Sequence, residues 1–189
     1  LENIIITNTD EATKTVASLN GANENQIAIA RILKAYIYWT ITDRWGDIPY
    51  TDALKGDPNV TYDTQEVIYK DLIKELTESI AQFVSGAPLK GDIAYNGDIA
   101  KWKKLANSMR MLMALRLSKQ YPLASDYAAT QFKAALADAA GHIQTNADNF
   151  QLTYPGGNFR NPYYNMYDGR KDYGLSATMT TALSTLTGD

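Results

Sequence analysis

The sequence predicts an all-α protein made of tetratricopeptide-like helical hairpins, with one long irregular segment rich in Tyr, Asn and Gly. Three observations carry that prediction. The six prolines stand at positions 49, 58, 88, 122, 155 and 162, and proline inside a helix costs about 3 kcal/mol, so they mark helix boundaries. Between them, apolar residues recur at i, i+3 and i+4. From Gly141 to Gly174 that period vanishes. A length of 189 residues with 45% hydrophobic and 21% charged residues suits a single folded domain. Its parts are helical hairpins over 1–140, a loop-rich segment over 141–175 and a terminal helix over 176–189.

A first short helix is expected over Asp10–Leu19, ended by Asn20-Gly21. The second, Asn25–Arg44, carries the stripes Ile29, Leu33, Tyr36, Thr40 and Ile32, Tyr36, Trp39. It is apolar around most of its circumference, which places it centrally. The third, Thr64–Val84, has Ile68, Leu72, Leu76 and Ile80 on one face. Asp63 with Glu66 reads as a capping box, Glu66/Lys70 and Lys74/Glu78 lie on the wet face, and Ser85-Gly86-Ala87-Pro88 stops it. The fourth begins after Asp98 as N-cap and reaches Gln120, with Trp102, Leu105, Met109, Leu112 and Arg116 as its stripe. The fifth, Leu123–Ala140, ends at Gly141. Phe150-Gln151-Leu152-Thr153-Tyr154 alternates like a short strand, and a last helix spans Ser176–Leu186.

Trp102-x-x-Leu105-Ala106-x-x-Met109 and Ala128-x-x-x-Phe132-x-x-Ala135 follow the two halves of a tetratricopeptide repeat. Small residues let the paired helices approach and large ones fill the groove between them. The spacing between the halves exceeds a standard repeat, so one hairpin is predicted rather than a regular array.

Composition excludes much chemistry. With no Cys and one His, disulfides, thiolate metal sites, cysteine nucleophiles and multi-histidine sites are ruled out. A net charge of −3, from 18 Lys+Arg and 21 Asp+Glu, argues against nucleic-acid binding. No apolar run nears the ~20 residues that span a bilayer. Gly156-Gly157 lacks the Lys-Ser/Thr of a phosphate loop. His142, alone after Gly141, reads as structural and able to meet a helix C-terminus. Asp57, Asn59 and Asp92 could offer oxygens to calcium, but without an EF-hand spacing. Arg110 and Arg116, on a buried-looking helix, require carboxylate or carbonyl partners. No metal site, cofactor or catalytic residue is predicted.

The segment Asp43-Arg44-Trp45-Gly46-Asp47-Ile48-Pro49-Tyr50-Thr51-Asp52-Ala53-Leu54 resembles the helix-ending turn of the SusD/RagB family, surface lipoproteins of Bacteroidetes nutrient uptake. Tyr62-Asp63-x-Gln65-x-x-Ile68-Tyr69 with Asp71-Leu72 is similar to its next helix. Tyr95-x-Gly97-Asp98-x-x-x-Trp102-x-Lys104-x-Ala106-Asn107-Ser108-x-Arg110, and more weakly Asn161-Pro162-Tyr163 with Leu186-Thr187-Gly188-Asp189, continue the match in order. The resemblance implies an internal fragment of a longer lipoprotein whose signal peptide and lipid anchor are absent from this chain. It also implies a surface-exposed, outer-membrane location and a TonB-dependent SusC-like transporter as partner. The expected activity is non-enzymatic capture of a glycan for import. The alternatives are a peptide-binding RagB-like receptor or a protein-interaction scaffold without a small-molecule ligand. A glycoside hydrolase ranks last, because sequence alone cannot place two carboxylates at the required separation and the resemblance implies a family that is not enzymatic.

Saccharide recognition needs exposed aromatic platforms beside planar hydrogen-bonding groups. Tyr36, Trp39, Tyr69 and Trp102 fall on helical stripes and read as core. Trp45, Asp47 and Tyr50 read as parts of the turn. The candidate ligand-binding residues are therefore Phe159, Arg160, Asn161, Tyr163, Tyr164, Tyr167, Asp168 and Tyr173, on a loop scaffolded by helices.

Overall fold

The computed structural model describes residues 1–86, 89–170, 172 and 174–186, and the expected stops at Ala87-Pro88 and Thr187–Asp189 lie outside them. The described residues are helical: α1 (Glu2–Thr9), α2 (Lys14–Ala17), α3 (Asn23–Trp45), α4 (Gln65–Gln82), α5 (Ile99–Arg116), α6 (Tyr127–Leu136), α7 (Pro162–Tyr167) and α8 (Ala177–Thr185). Isolated bridges at Ile48/Asp63 and Gly156/Phe159 are their only β-pairing. The chain divides into two compact units, Leu1–Gln151 and Leu152–Asp189.

In the first unit α3 packs on α4, α4 on α5 and α5 on α6. The pairs run antiparallel. Arg31 of α3 meets Glu75, Glu78 and Gln82 near the end of α4, whereas Trp39, farther along α3, meets Tyr69 near its start. The same reversal holds across α5 and α6, where Asn107 meets Ala135 near the end of α6, whereas Ala114 and Leu115 line one groove with Ala128 and Ala129 near its start. The core gathers Ile32, Ile68, Leu72, Ile73, Leu76 and Met113, all essentially inaccessible. Ala28, Ala35 and Ala106 are equally buried, and their small side chains let the helix axes approach as the repeat pattern requires. Asn25, fully buried, is satisfied at both ends. Its amide donates to the Val84 carbonyl at 3.0 Å and its oxygen accepts the Val84 N–H at 2.9 Å, so the start of α3 is tied to the end of α4.

The helix starts and stops follow local chemistry with some reassignments. Asp98 caps α5 by accepting the Lys101 N–H, and Ser176 caps α8 through the Met179 N–H. The Glu66–Lys70 and Lys74–Glu78 pairs form on the surface of α4 at 2.6 and 3.1 Å. The cap of α4, however, is Thr64. Asp63 turns back instead and accepts N–H bonds from Tyr50 and Thr51, because the closing bridge between Ile48 and Asp63 fixes its backbone in extended form.

The chain also departs from expectation at both ends. The first helix is Glu2–Thr9, and Asp10–Leu19 is broken into a turn, α2 and the 3-10 turn Ser18–Asn20. Leu1-to-Asn8 is poor in helix formers, but packing against α3 and the Glu2–Lys34 ion pair at 2.7 Å override that propensity. No strand forms at Phe150–Tyr154. The Phe150 ring instead packs 5.7 Å from Trp102 and 5.9 Å from Tyr95, so a tertiary anchor replaces strand pairing. The segment expected to be irregular throughout contains α7.

Four residues of the expected stripes are exposed: Thr40, Tyr36 at 45%, Leu112 at 50% and Arg116 at 58%. The contact face of α3 is the alanine-rich one, which leaves the adjacent Tyr36 and Ile37 outward. Trp102 and Tyr69 are buried and Trp39 is partly so.

Candidate functional site

The turn Gly46–Tyr50 shows why its residues read as architectural. Gly46 takes φ +73°, a conformation that glycine adopts without strain, and its N–H closes α3 on the Thr42 carbonyl at 2.8 Å. Asp47 accepts the Gln65 N–H at 2.8 Å and so satisfies a free donor of α4. The Tyr50 hydroxyl donates to Asp71 at 2.6 Å, and burial first, then that carboxylate, pushes its pKa far up. Trp45 departs from this pattern, because it is 67% exposed.

Asp92 is committed to structure and unavailable as a calcium ligand. Its two oxygens accept the N–H groups of Ala94, Tyr95 and Gly97 and the Trp102 indole N–H at 2.7 Å. Burial works to raise its pKa, but the four donors, Trp102 foremost, bring it below the usual carboxylate range. Asp57 closes its own turn on the Asn59 N–H. Among the described residues no three His, Asp or Glu side chains gather around a common point for an ion. Arg110, 4% exposed, finds Asp138 at 2.8 Å and Asn107 at 3.0 Å. Arg116 finds Asp43 at 2.7 Å but spreads over the Trp39 ring at the surface.

In the second unit the predicted ligand residues come together on one turn and one short helix. Gly156 and Phe159 exchange two backbone hydrogen bonds across a tight turn in which Gly157 has φ +60°. Asn161 then caps α7, accepting the Tyr163 N–H at 2.9 Å, with Pro162 in the first turn. That Asn-Pro start is the signal that could have placed the helix in advance. Arg160 lies 4.9 Å over the Tyr164 ring and 3.3 Å from Asp168, so these three side chains steady one another. Phe159 and Tyr163 are more than 70% exposed, and Tyr167 is half-exposed. Tyr173 lies outside the described residues. Neither α7 nor α8 buries a side chain.

The helices of the first unit form a cleft of about 860 Å³ that sequence reasoning missed. Asp43 and Asp47 from the end of α3 and its turn, Glu66 and Tyr69 from α4, and Arg116 and Tyr121 from the end of α5 and beyond line it. Its walls are tied internally. The Tyr69 hydroxyl donates to Asp43 and accepts the Trp39 indole N–H at 3.0 Å. Burial, helped by Asp43, pushes the Tyr69 phenol up to about 12. The Tyr121 hydroxyl donates to Glu66. The Lys70 ammonium, then Tyr121, holds the Glu66 carboxyl below its ordinary range. These residues come from three stretches of chain, and no local spacing announces them.

The family described as SusD-like, "starch-binding associating with outer membrane", matches residues 2–188. The chain belongs to the SusD-like family. This SusD-like chain is similar to several solved structures. A chitin-binding protein is 39% identical, with TM-score 0.63, over 79% of this chain and 30% of that one. A SusD homologue of Bacteroides uniformis is 33% identical, with TM-score 0.66, over 81% and 32%. An outer-membrane protein of Bacteroides vulgatus is 29% identical, with TM-score 0.69, over 88% and 36%. The SusD-like chain thus spans about a third of the length of these structures. Among curated proteins no match was found.

Proposed function

We propose that this SusD-like chain is part of a surface-exposed outer-membrane lipoprotein that captures an oligosaccharide and passes it to a SusC-like TonB-dependent transporter. It acts by binding, and no bond is made or broken. Membership of a family described as starch-binding and likeness to a chitin-binding protein support the ligand class. The observation that carries the assignment of residues is the exposed ring set on and beside α7, where Phe159, Tyr163 and Tyr167 stand next to the Arg160–Tyr164–Asp168 cluster. Rings offer apolar faces to sugar C–H groups, and the guanidinium and carboxylate offer hydrogen bonds to hydroxyls. A surface site of this kind binds weakly and gains from avidity in a complex.

Affinity electrophoresis in soluble starch or glycol chitin, with calorimetry on maltoheptaose and chitohexaose, tests this. Retardation by a glycan that is reduced in the Tyr163→Ala/Tyr167→Ala double variant is the expected result. Binding confined to a peptide library would move the assignment to a RagB-like peptide receptor. The close-packed α5–α6 hairpin, with Ala106, Ala128 and Ala135 buried, would suit a protein-interaction scaffold if no glycan or peptide binds.

A further inference from the structure

Two tyrosines and a glutamate of the first unit surround an ammonium group. Tyr121, in the link between α5 and α6, and Tyr127, the first residue of α6, stand with ring centroids 6.0 Å apart and planes inclined at 57°. The Lys70 ammonium lies 5.3 Å from the Tyr121 centroid, 5.5 Å from the Tyr127 centroid and 2.6 Å from Glu66. Both ring distances fall inside the ~6 Å reach of a cation–π contact. The Tyr121 hydroxyl donates to the same Glu66 oxygen that Lys70 meets, so one wall of the seat orients the carboxylate. Both rings are partly buried, which fixes them before any outside cation arrives. Glu66 and Tyr121 also line the helical cleft, so the seat borders it.

The occupant is the least firmly held member of this group. Lys70 and Glu66 are four residues apart on the surface of α4, with side chains 42% and 53% exposed. Ion pairs of that kind hold weakly in water, and the lysine stem is flexible enough to swing into solvent. Among the described residues no other cation lies over either ring, and the second Glu66 oxygen accepts nothing from them. When the lysine swings out, the rings and the carboxylate stay behind as a formed site. Ring faces attract any cation, but a carboxylate at hydrogen-bond distance selects one with an N–H donor. A primary ammonium has that donor and a quaternary one lacks it.

We propose that Tyr121, Tyr127 and Glu66 form a binding site for the primary ammonium of an external alkylamine or lysine side chain, and that Lys70 fills this site until such a ligand displaces it. Self-filling lowers the apparent affinity by the fraction of chains in which the seat is open. An exposed ion pair at four-residue spacing with two exposed ring contacts sets that fraction at about one tenth. The proposal stands apart from the receptor reading and needs no saccharide.

The test titrates the full chain, carrying isotope-labelled tyrosine, with n-butylamine hydrochloride against sodium chloride at equal ionic strength. The expected result is a saturable shift of the Tyr121 and Tyr127 ring resonances, with affinity about tenfold tighter in Lys70→Ala and in Lys70→Gln than in the wild type. Adding Glu66→Gln to Lys70→Ala should weaken binding, and tetramethylammonium should bind Lys70→Ala less tightly than n-butylamine does. A capped pentapeptide bearing one lysine is the second probe. Tighter binding than n-butylamine assigns the ligand to a protein lysine, affinity no greater assigns it to a free amine, and either upholds the site. Thermal unfolding serves as the control for fold. No saturable shift in the folded Lys70 variants, or equal affinity with and without Lys70, overturns the proposal and leaves Lys70 a structural clasp.

Discussion

Replacing Asp138 by Ala tests how the α5–α6 hairpin is held. Arg110 is 4% exposed, and its guanidinium meets Asp138 at 2.8 Å and the Asn107 oxygen at 3.0 Å. Its Nε is buried without a partner among the described residues, so little hydrogen bonding remains to compensate a loss. Asp138 also accepts the Ala140 N–H at 2.9 Å, closing the turn after α6. Removing one member of a buried pair costs about 3–5 kcal/mol. The partial exposure of the Asp138 side chain, 26%, places the cost near the lower end, about 3 kcal/mol. For a chain of this size that lowers Tm by about 6–12 °C. Urea unfolding followed by circular dichroism measures it. Asp138→Asn, which keeps a neutral acceptor, should lose about half as much. The sharper test is Arg110→Met with Asp138→Ala, which removes the stranded charge and should be more stable than Asp138→Ala alone. A single-variant loss below about 1 kcal/mol, or a double variant less stable than Asp138→Ala, would refute the argument that a buried unpaired guanidinium dominates.

Other consequences are open to direct measurement. Because the Asp92 carboxyl is held below its ordinary range, its folded pKa lies below the unfolded value. Its contribution to stability is therefore present above about pH 4 and lost as pH falls through the depressed pKa. Acid unfolding monitored by circular dichroism should begin at higher pH in Asp92→Asn than in the wild type. Gly21→Ala should cost more than Gly46→Ala. Both residues have positive φ, but a methyl at Gly21 would come within 2.8 Å of Leu89, whereas none of the described atoms lies within 4 Å at Gly46. Thermal unfolding of the two variants gives the comparison, with about 1–3 kcal/mol expected at Gly46. Tyr163→Ala with Tyr167→Ala should leave Tm within about 2 °C of the wild type, because both rings are exposed.

Legibility from sequence differed by element for identifiable reasons. α4 was legible from its one-sided apolar stripe, in which Leu72 behaves as the local pattern says, and α5 from its cap Asp98, although the end of its stripe, Leu112 and Arg116, turned outward. α3 was legible as a helix but not in its orientation. It is apolar nearly all round, so its sequence could not say that Ala28, Ile32 and Ala35 would be the contact face and Tyr36 the outer one. α1 was hidden because its stability comes from α3 rather than from its own residues. The turn-and-helix ring set was legible as a concentration of Tyr, Asn and Arg. The interlocking of Arg160 with Tyr164 and Asp168 required coordinates. The helical cleft was not legible at all.

By itself, the sequence determined the class of fold, the order of the main helices and the family. These follow from proline placement, apolar period and contiguous motifs such as Gly46-Asp47-Ile48-Pro49-Tyr50, all of which act over a few residues. Tertiary structure alone decided which face of α3 is buried, that Asp63 braces a turn instead of capping a helix, and that Asp43, Glu66 and Arg116 share a cleft. The division has one physical cause. Backbone preference and capping are settled by neighbours in sequence, whereas burial and charge pairing are settled by whichever helix arrives alongside from a distant part of the chain.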